Sequence, residues 1–209
     1  MDKKIDFKKE HKDLYLPKKK PTYIEVPQMN FIMVDGKGEP GSDEYQEAMQ
    51  LLYSISFTIK MSKMKGEQPD GYYEYVVPPL EGLWWCEEGK LDLKKSQSEF
   101  LWTSLIRQPE FVTKEVIDWA ITESKKKKHD LAYDRLRFSS FTEGKCVQMM
   151  HIGPYSEEEA TIEEIEKHIV ENGLKEDTGN IRKHHEIYLS DPRRTDPLKL
   201  RTVIRLPVK

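Results

Sequence analysis

Only two cysteines occur in 209 residues, Cys86 and Cys146, and their spacing fits no metal-ligand motif. They read as small buried residues, since one potential pair makes no disulfide framework. No apolar run approaches the ~20 residues that cross a bilayer, so no membrane contact is expected. No apolar stretch follows Met1-Asp2-Lys3-Lys4, so no signal peptide is expected and a cytoplasmic location is the default. Charge of one sign is lacking too: 34 basic against 37 acidic residues leave a formal net charge of -3. A dedicated nucleic-acid binder normally shows a basic excess, so no direct nucleic-acid contact is expected. The phosphate-binding glycine loop and the serine-hydrolase elbow are also missing. Gly36-Lys37-Gly38 reads as a strand-to-helix turn.

Aromatic residues are plentiful: 10 Tyr, 7 Phe and 4 Trp. Disordered chains rarely hold that many, so the chain reads as globular. Residues 1–28 are polar and lysine-rich, and read as a peripheral arm. Residues 29–209 read as one domain: a first module over about 29–108, a connecting helix over about 109–128, and a second module over about 135–209. Strands are expected at Asn30 to Asp35, Tyr72 to Val77, Leu83 to Cys86 and Ser98 to Arg107. Ser42 or Asp43 caps a helix whose apolar positions, Tyr45, Ala48, Met49, Leu52, Ile55 and Ile59, keep a 3.6-residue period. The second half repeats the pattern. A hairpin is expected around Glu143-Gly144, then a helix opened by Ser156 with Glu159 as its capping box. Two strands follow, Lys183 to Ser190 and Lys199 to Pro207.

Each half thus reads strand, turn, capped helix, strand, strand, which gives an α+β fold of two tandem modules. Sheets with helices on one face leave the other open, so a ligand groove is expected across the uncovered faces. Side chains alternate along a strand. His184, Glu186 and Tyr188 therefore share one face and Ile187 and Leu189 the other, which marks Glu186 as a carboxylate lining a pocket.

The segment His185-Glu186-Ile187-Tyr188-Leu189-Ser190-Asp191-Pro192-Arg193-Arg194, with Lys199-Leu200-Arg201-Thr202-Val203-Ile204-Arg205-Leu206-Pro207-Val208 after it, resembles the GyrI-like small-molecule-binding family. Val147 to Tyr155, Asp35-Gly36-Lys37-Gly38 and Tyr72-Tyr73 resemble it as well. The resemblance implies two strand-helix-strand-strand modules about a pseudo-twofold axis, with a ligand groove between them. It implies binding of hydrophobic, often aromatic or cationic, small molecules. Some members open the strained cyclopropane of DNA-alkylating natural products by adding water. The family's groove-floor glutamate matches Glu186. No metal or organic cofactor is implied.

A partly desolvated carboxylate can act as general acid or base near neutral pH. Glu186 could activate a water, neutralise a cationic ligand, or be a solvated strand acid. Tyr188 or Tyr155 could donate a hydrogen bond to a conjugated carbonyl as the ring opens. Tyr73, Trp85, Trp102, Trp119 and Tyr155 are candidate groove walls, each equally able to fill the core, and Met33 joins them as a candidate ligand contact. His151 and His184 are candidate proton partners near the groove. His184 and His185 point apart on a strand, which disfavours a metal site. The expected partner is a hydrophobic aromatic small molecule. The competing functions are a non-catalytic drug-binding protein and a module that interacts with DNA gyrase.

Overall fold

The computed structural model describes residues 4–209. Two short helices, α1 (Phe7–Glu10) and α2 (Lys12–Tyr15), precede β1 (Thr22–Lys37), α3 (Asp43–Lys60), β2 (Leu80–Trp85) and β3 (Leu101–Gln108). Then follow α4 (Lys114–Lys125), β4 (Arg137–Ile152), α5 (Glu158–Glu171), β5 (His184–Tyr188) and β6 (Arg201–Pro207). The fold is α+β. Strand, helix, strand, strand occurs on either side of α4, and each half orders its strands first, third, second in the sheet.

The six strands do not leave two open faces. They close into an antiparallel barrel in the order β1-β3-β2-β5-β6-β4. The expected groove across uncovered faces is therefore absent, because the face turned away from the helices is the barrel's interior. Phe31, Met33, Leu105, Cys146, Met150, Ile187 and Val203 fill that interior. The helices pack outside. Ala48, Leu52, Ile55 and Ile59 of α3, with Ile117 and Ala120 of α4, cover Ile32, Val34, Trp84, Trp102 and Ile106. Ile165 and Ile169 of α5 cover Val147, Met149, Ile204 and Leu206. Each covered residue takes apolar surface out of water at roughly 25 cal/mol per Å².

Ser42 caps α3 by accepting from the Tyr45 N–H at 3.3 Å. Thr113 caps α4 by accepting from Val116, so that helix begins beyond Pro109. The capping box expected at Glu159 is not formed: Glu157 stands at the N-cap and makes no side-chain bond. Nor does Tyr72 to Val77 form a strand beyond one bridge between Tyr75 and Ile5.

The hairpin expected at Glu143-Gly144 is also absent. β4 continues as one strand past this point, and β1 pairs with it from Thr22 to Met33. Gly144 takes φ +73, which glycine adopts without a Cβ penalty, so the strand bends there instead of reversing. This bend turns the Glu143 side chain into the barrel, where Glu81, His185 and Arg205 are also buried.

The amino-terminal segment is not peripheral. Phe7, Leu14 and Tyr15 are buried in the interior cluster, and β1 already begins at Thr22. Arg205 Nη2 donates to the Leu14 carbonyl at 2.9 Å, and Gln148 Nε2 donates to that of Asp13 at 2.6 Å. Buried guanidinium and amide donors need acceptors, and this segment's backbone supplies them. Its polar composition hid three apolar residues that all turn inward.

Candidate functional site

β2 and β5 meet with Gly82 opposite Glu186 and Trp84 opposite His184. Alternation then puts Trp84, His184, Glu186 and Tyr188 together on the barrel's outer face. Both oxygens of the Glu186 carboxyl are engaged: His184 Nε2 lies 2.9 Å from Oε1 and the Tyr188 hydroxyl donates to Oε2 at 2.8 Å. The Trp84 indole N–H donates to that same hydroxyl at 2.8 Å. The result is a directed chain, Trp84 to Tyr188 to Glu186, closed from the other side by His184. Gly82 makes room for it, since a Cβ there would lie 2.5 Å from Trp84 Nε1 and 2.9 Å from the Tyr188 hydroxyl.

Glu186 is 8% exposed, neither loose in solvent nor sealed in the core. Three elements wall it. Tyr45 of α3 stacks on Trp84 at 5.9 Å and meets the edge of Trp102 at 5.1 Å. Tyr155, in the turn before α5, sets its ring T-shaped against Tyr188 at 5.9 Å and is 40% exposed, so it stands on the solvent side. Glu158, in the first turn of α5, is buried and feels the Glu186 charge.

This setting keeps protons on the surrounding groups. Burial, and then the Glu186 charge, pushes the Glu158 carboxyl well above the usual carboxylate range. Thr202 on β6 tempers that rise without a well-formed hydrogen bond: Glu158 Oε1 and Thr202 Oγ1 are both buried without a partner. Burial and Glu186 likewise push the Tyr188 phenol far up. Burial, Glu158 and Glu186 push Tyr155 up to about 12. Both phenols are therefore donors at neutral pH.

Of the residues singled out from the sequence, Glu186, Tyr188, Tyr155 and His184 come together. Trp102 reaches the group through Tyr45, but is wholly buried. His151 lies on the same outer face, with Nδ1 2.8 Å from Thr161 Oγ1 of α5 and Nε2 3.2 Å from the Pro154 carbonyl. It thus pins the start of α5, and with it Tyr155 and Glu158, against the sheet.

The other candidates lie elsewhere. Met33 is inside the barrel. Tyr73 packs edge-on to Phe111 and donates to Glu110 at 2.7 Å. Trp85 points to the opposite face from Trp84 and carries Lys183 over its ring at 4.5 Å. Trp119 lines a separate hollow of about 300 Å³ with Tyr53, Phe57 and Met61. Trp84, Tyr45 and Glu158 were not picked out from the sequence. Strand parity relative to Glu186 would have chosen Trp84 over Trp85, but only once the register was known.

Among the described residues no three His, Cys, Asp or Glu converge as metal ligands. Cys86 and Cys146 are both free and buried. No described helix is long and apolar enough to cross a membrane.

The GyrI-like small molecule binding domain matches residues 19–209. Three crystal structures from Listeria innocua are similar over 99% of this chain and 100% of their own. An uncharacterized conserved protein is 58% identical with a TM-score of 0.94. Two hydrolases are 57% and 54% identical, with TM-scores of 0.92 and 0.91. Among curated proteins, none matches.

Proposed function

The chain belongs to the GyrI-like small-molecule-binding family, and from that premise we propose that it binds a hydrophobic polycyclic molecule against Glu186 and opens a strained cyclopropane in it by adding water. The observation that carries this reading is the Glu186 carboxylate, fixed by His184 and Tyr188 at the base of a ring-lined wall. Two relatives more than half identical to the chain are hydrolases, which supports an activity beyond binding.

In this reading Glu186 orients a water molecule and takes its proton as the oxygen attacks the ring carbon. A C–O bond forms, a cyclopropane C–C bond breaks, and the electron pair moves into a conjugated carbonyl. The Tyr188 hydroxyl is already committed to Glu186, so it serves as a positioning group. The Tyr155 hydroxyl, on the solvent side, donates to the carbonyl oxygen as it gains charge. Tyr155, 40% exposed, supplies a flat face for a planar ligand, with Tyr45 and Trp84 packed behind the site.

The test is incubation with a spirocyclopropyl dienone followed by mass spectrometry. A gain of one water is expected. Glu186→Gln should lose about 10²-fold or more in rate, the usual contribution of a positioned base. Parental turnover by that variant would remove Glu186 from the chemistry. A second reading, sequestration without reaction, draws on the same carboxylate among aromatic rings, which suits a bound organic cation. Binding with the ligand mass unchanged would favour it.

A further inference from the structure

We propose that the hollow between α3 and α4 is a second binding site, built for a compact aromatic anion such as an arylsulfonate or arylcarboxylate. Its apolar lining is Tyr53, Phe57 and Met61 of α3 and Trp119 of α4. Phe57 is 47% exposed and Met61 43%, and apolar surface gathered in one place marks a site where another molecule can cover it. Tyr53 and Phe57 stack with ring centres 6.2 Å apart, which sets two flat faces on the α3 side. At about 300 Å³ the hollow stands at the small end of ligand pockets, roughly 300–1,000 Å³, which limits its occupant to a small ring system.

The uncompensated charge around these rings is positive. Lys65, Lys127 and Lys128 line the hollow, and Glu123 is the single acid among the described lining residues. That acid is already neutralised, by Lys65 at 2.9 Å and by Lys126. Among the described residues no carboxylate pairs with Lys127 or Lys128. Lys60 adds a further cation, 5.9 Å from the centre of the Phe57 ring. The lining serine and threonine hydroxyls have no proton to spare. Thr58 donates to the Ser54 carbonyl at 2.8 Å. Ser54 Oγ lies 2.7 Å from Ser124 Oγ, which lies 2.8 Å from the Tyr133 hydroxyl. That hydroxyl donates to the Lys128 carbonyl at 2.8 Å. Each hydroxyl has one proton, so the chain runs one way, from Ser54 to Ser124 to Tyr133, and ends by holding the Lys128 backbone. A negative charge is therefore met by the ammonium groups, while the rings of the ligand lie on Tyr53, Phe57 and Trp119.

This site is separate from the one at Glu186. Tyr45 walls that site and Phe57 this one, both on α3 and about 18 Å apart at ~1.5 Å of rise per residue. Their charges are opposite as well: a carboxylate among rings at the first, lysines around rings at the second. The proposal stands independently of the hydrolytic reading.

The test titrates the full chain with anilinonaphthalene sulfonate, an aromatic anion whose fluorescence rises in an apolar site. A saturable rise is expected. The double variant Lys127→Gln, Lys128→Gln should bind about fivefold more weakly, the loss of two solvent-facing ion pairs. Phe57→Ser, which removes a half-exposed ring, should weaken binding about tenfold or more. Added salt should weaken the wild type more than the double lysine variant. Glu186→Gln should bind as the wild type does. All three substituted residues lie at the surface, and an unchanged circular dichroism spectrum and melting temperature show that the variants fold. Absence of a saturable rise overturns the proposal. Parental affinity in the double lysine variant overturns the anion preference. Weaker binding in Glu186→Gln with none in Phe57→Ser places the probe at the first site and overturns the second.

Discussion

His185 and Arg205 are cross-strand partners on β5 and β6, and together they hold both oxygens of Glu143. The imidazole Nδ1 lies 3.0 Å from Oε1 and the guanidinium Nη1 donates to Oε2 at 2.7 Å. The other imidazole nitrogen is 3.0 Å from Glu81 Oε2. Burial works against each charge here, but the partners outweigh it. Glu143 is held down to about 2 by His185 and Arg205, and His185 is lifted to about 9 by Glu143 and Glu81.

Glu143→Gln removes the central anion and leaves a buried guanidinium and imidazolium facing a neutral amide. Breaking a buried ion pair from one side costs about 3–5 kcal/mol. Urea denaturation at pH 6 should show that loss. An unchanged midpoint would mean the pair adds nothing to the fold.

The same cluster sets a pH window for stability. His185 has a raised folded-state value, so its contribution is complete below 6.5 and is lost as pH rises through about 9. Glu143 has a lowered one, so its contribution is complete above 4.5 and is lost as pH falls toward 2. Stability from this cluster should therefore plateau between pH 4.5 and 6.5 and fall on both sides, by on the order of 3 kcal/mol at full loss of either. Denaturant midpoints across pH measure this. His185→Gln should flatten the alkaline limb, and a variant that keeps that limb would place its origin elsewhere.

Gly82→Ala puts a methyl group where the indole N–H and the phenol meet, 2.5 Å from Trp84 Nε1. Overpacking of this kind costs about 1–3 kcal/mol. It should also part Trp84 from Tyr188 and weaken ligand binding at Glu186. Titration with an aromatic cation, followed by tryptophan fluorescence, should show weaker binding. Parental affinity would separate this chain of hydrogen bonds from the ligand.

Tyr15→Ala tests whether the amino-terminal segment belongs to the core. Tyr15 is 1% exposed and approaches Glu81. Truncating a buried aromatic costs about 3–5 kcal/mol, readable as a lower denaturant midpoint. A loss under roughly 1 kcal/mol, typical of surface substitutions, would make the segment an accessory.

Periodicity carried most of the fold. Alternation put His184, Glu186 and Tyr188 on one side of a strand, and the 3.6-residue stripe of α3 packs as expected. What sequence could not supply was long-range. The bend at Gly144 looks like a hairpin until β1 is seen to pair with both arms of β4. Trp84 and Trp85 are neighbours with opposite fates, decided by the pairing of Gly82 with Glu186. Glu158 resembles any acid in a helix's first turn, and only the placement of α5 against β4 and β6 buries it. Phe7, Leu14 and Tyr15 are too few among lysines to announce a buried segment.

Closure of the six strands has a consequence for self-association. Each strand is hydrogen-bonded to a neighbour on both flanks over part or all of its length, so the unpaired rim is confined to the arms of β1 before Asn30 and of β4 before Cys146, where alone another chain could extend the sheet. Elsewhere around the barrel, copies of this protein could meet only through side chains.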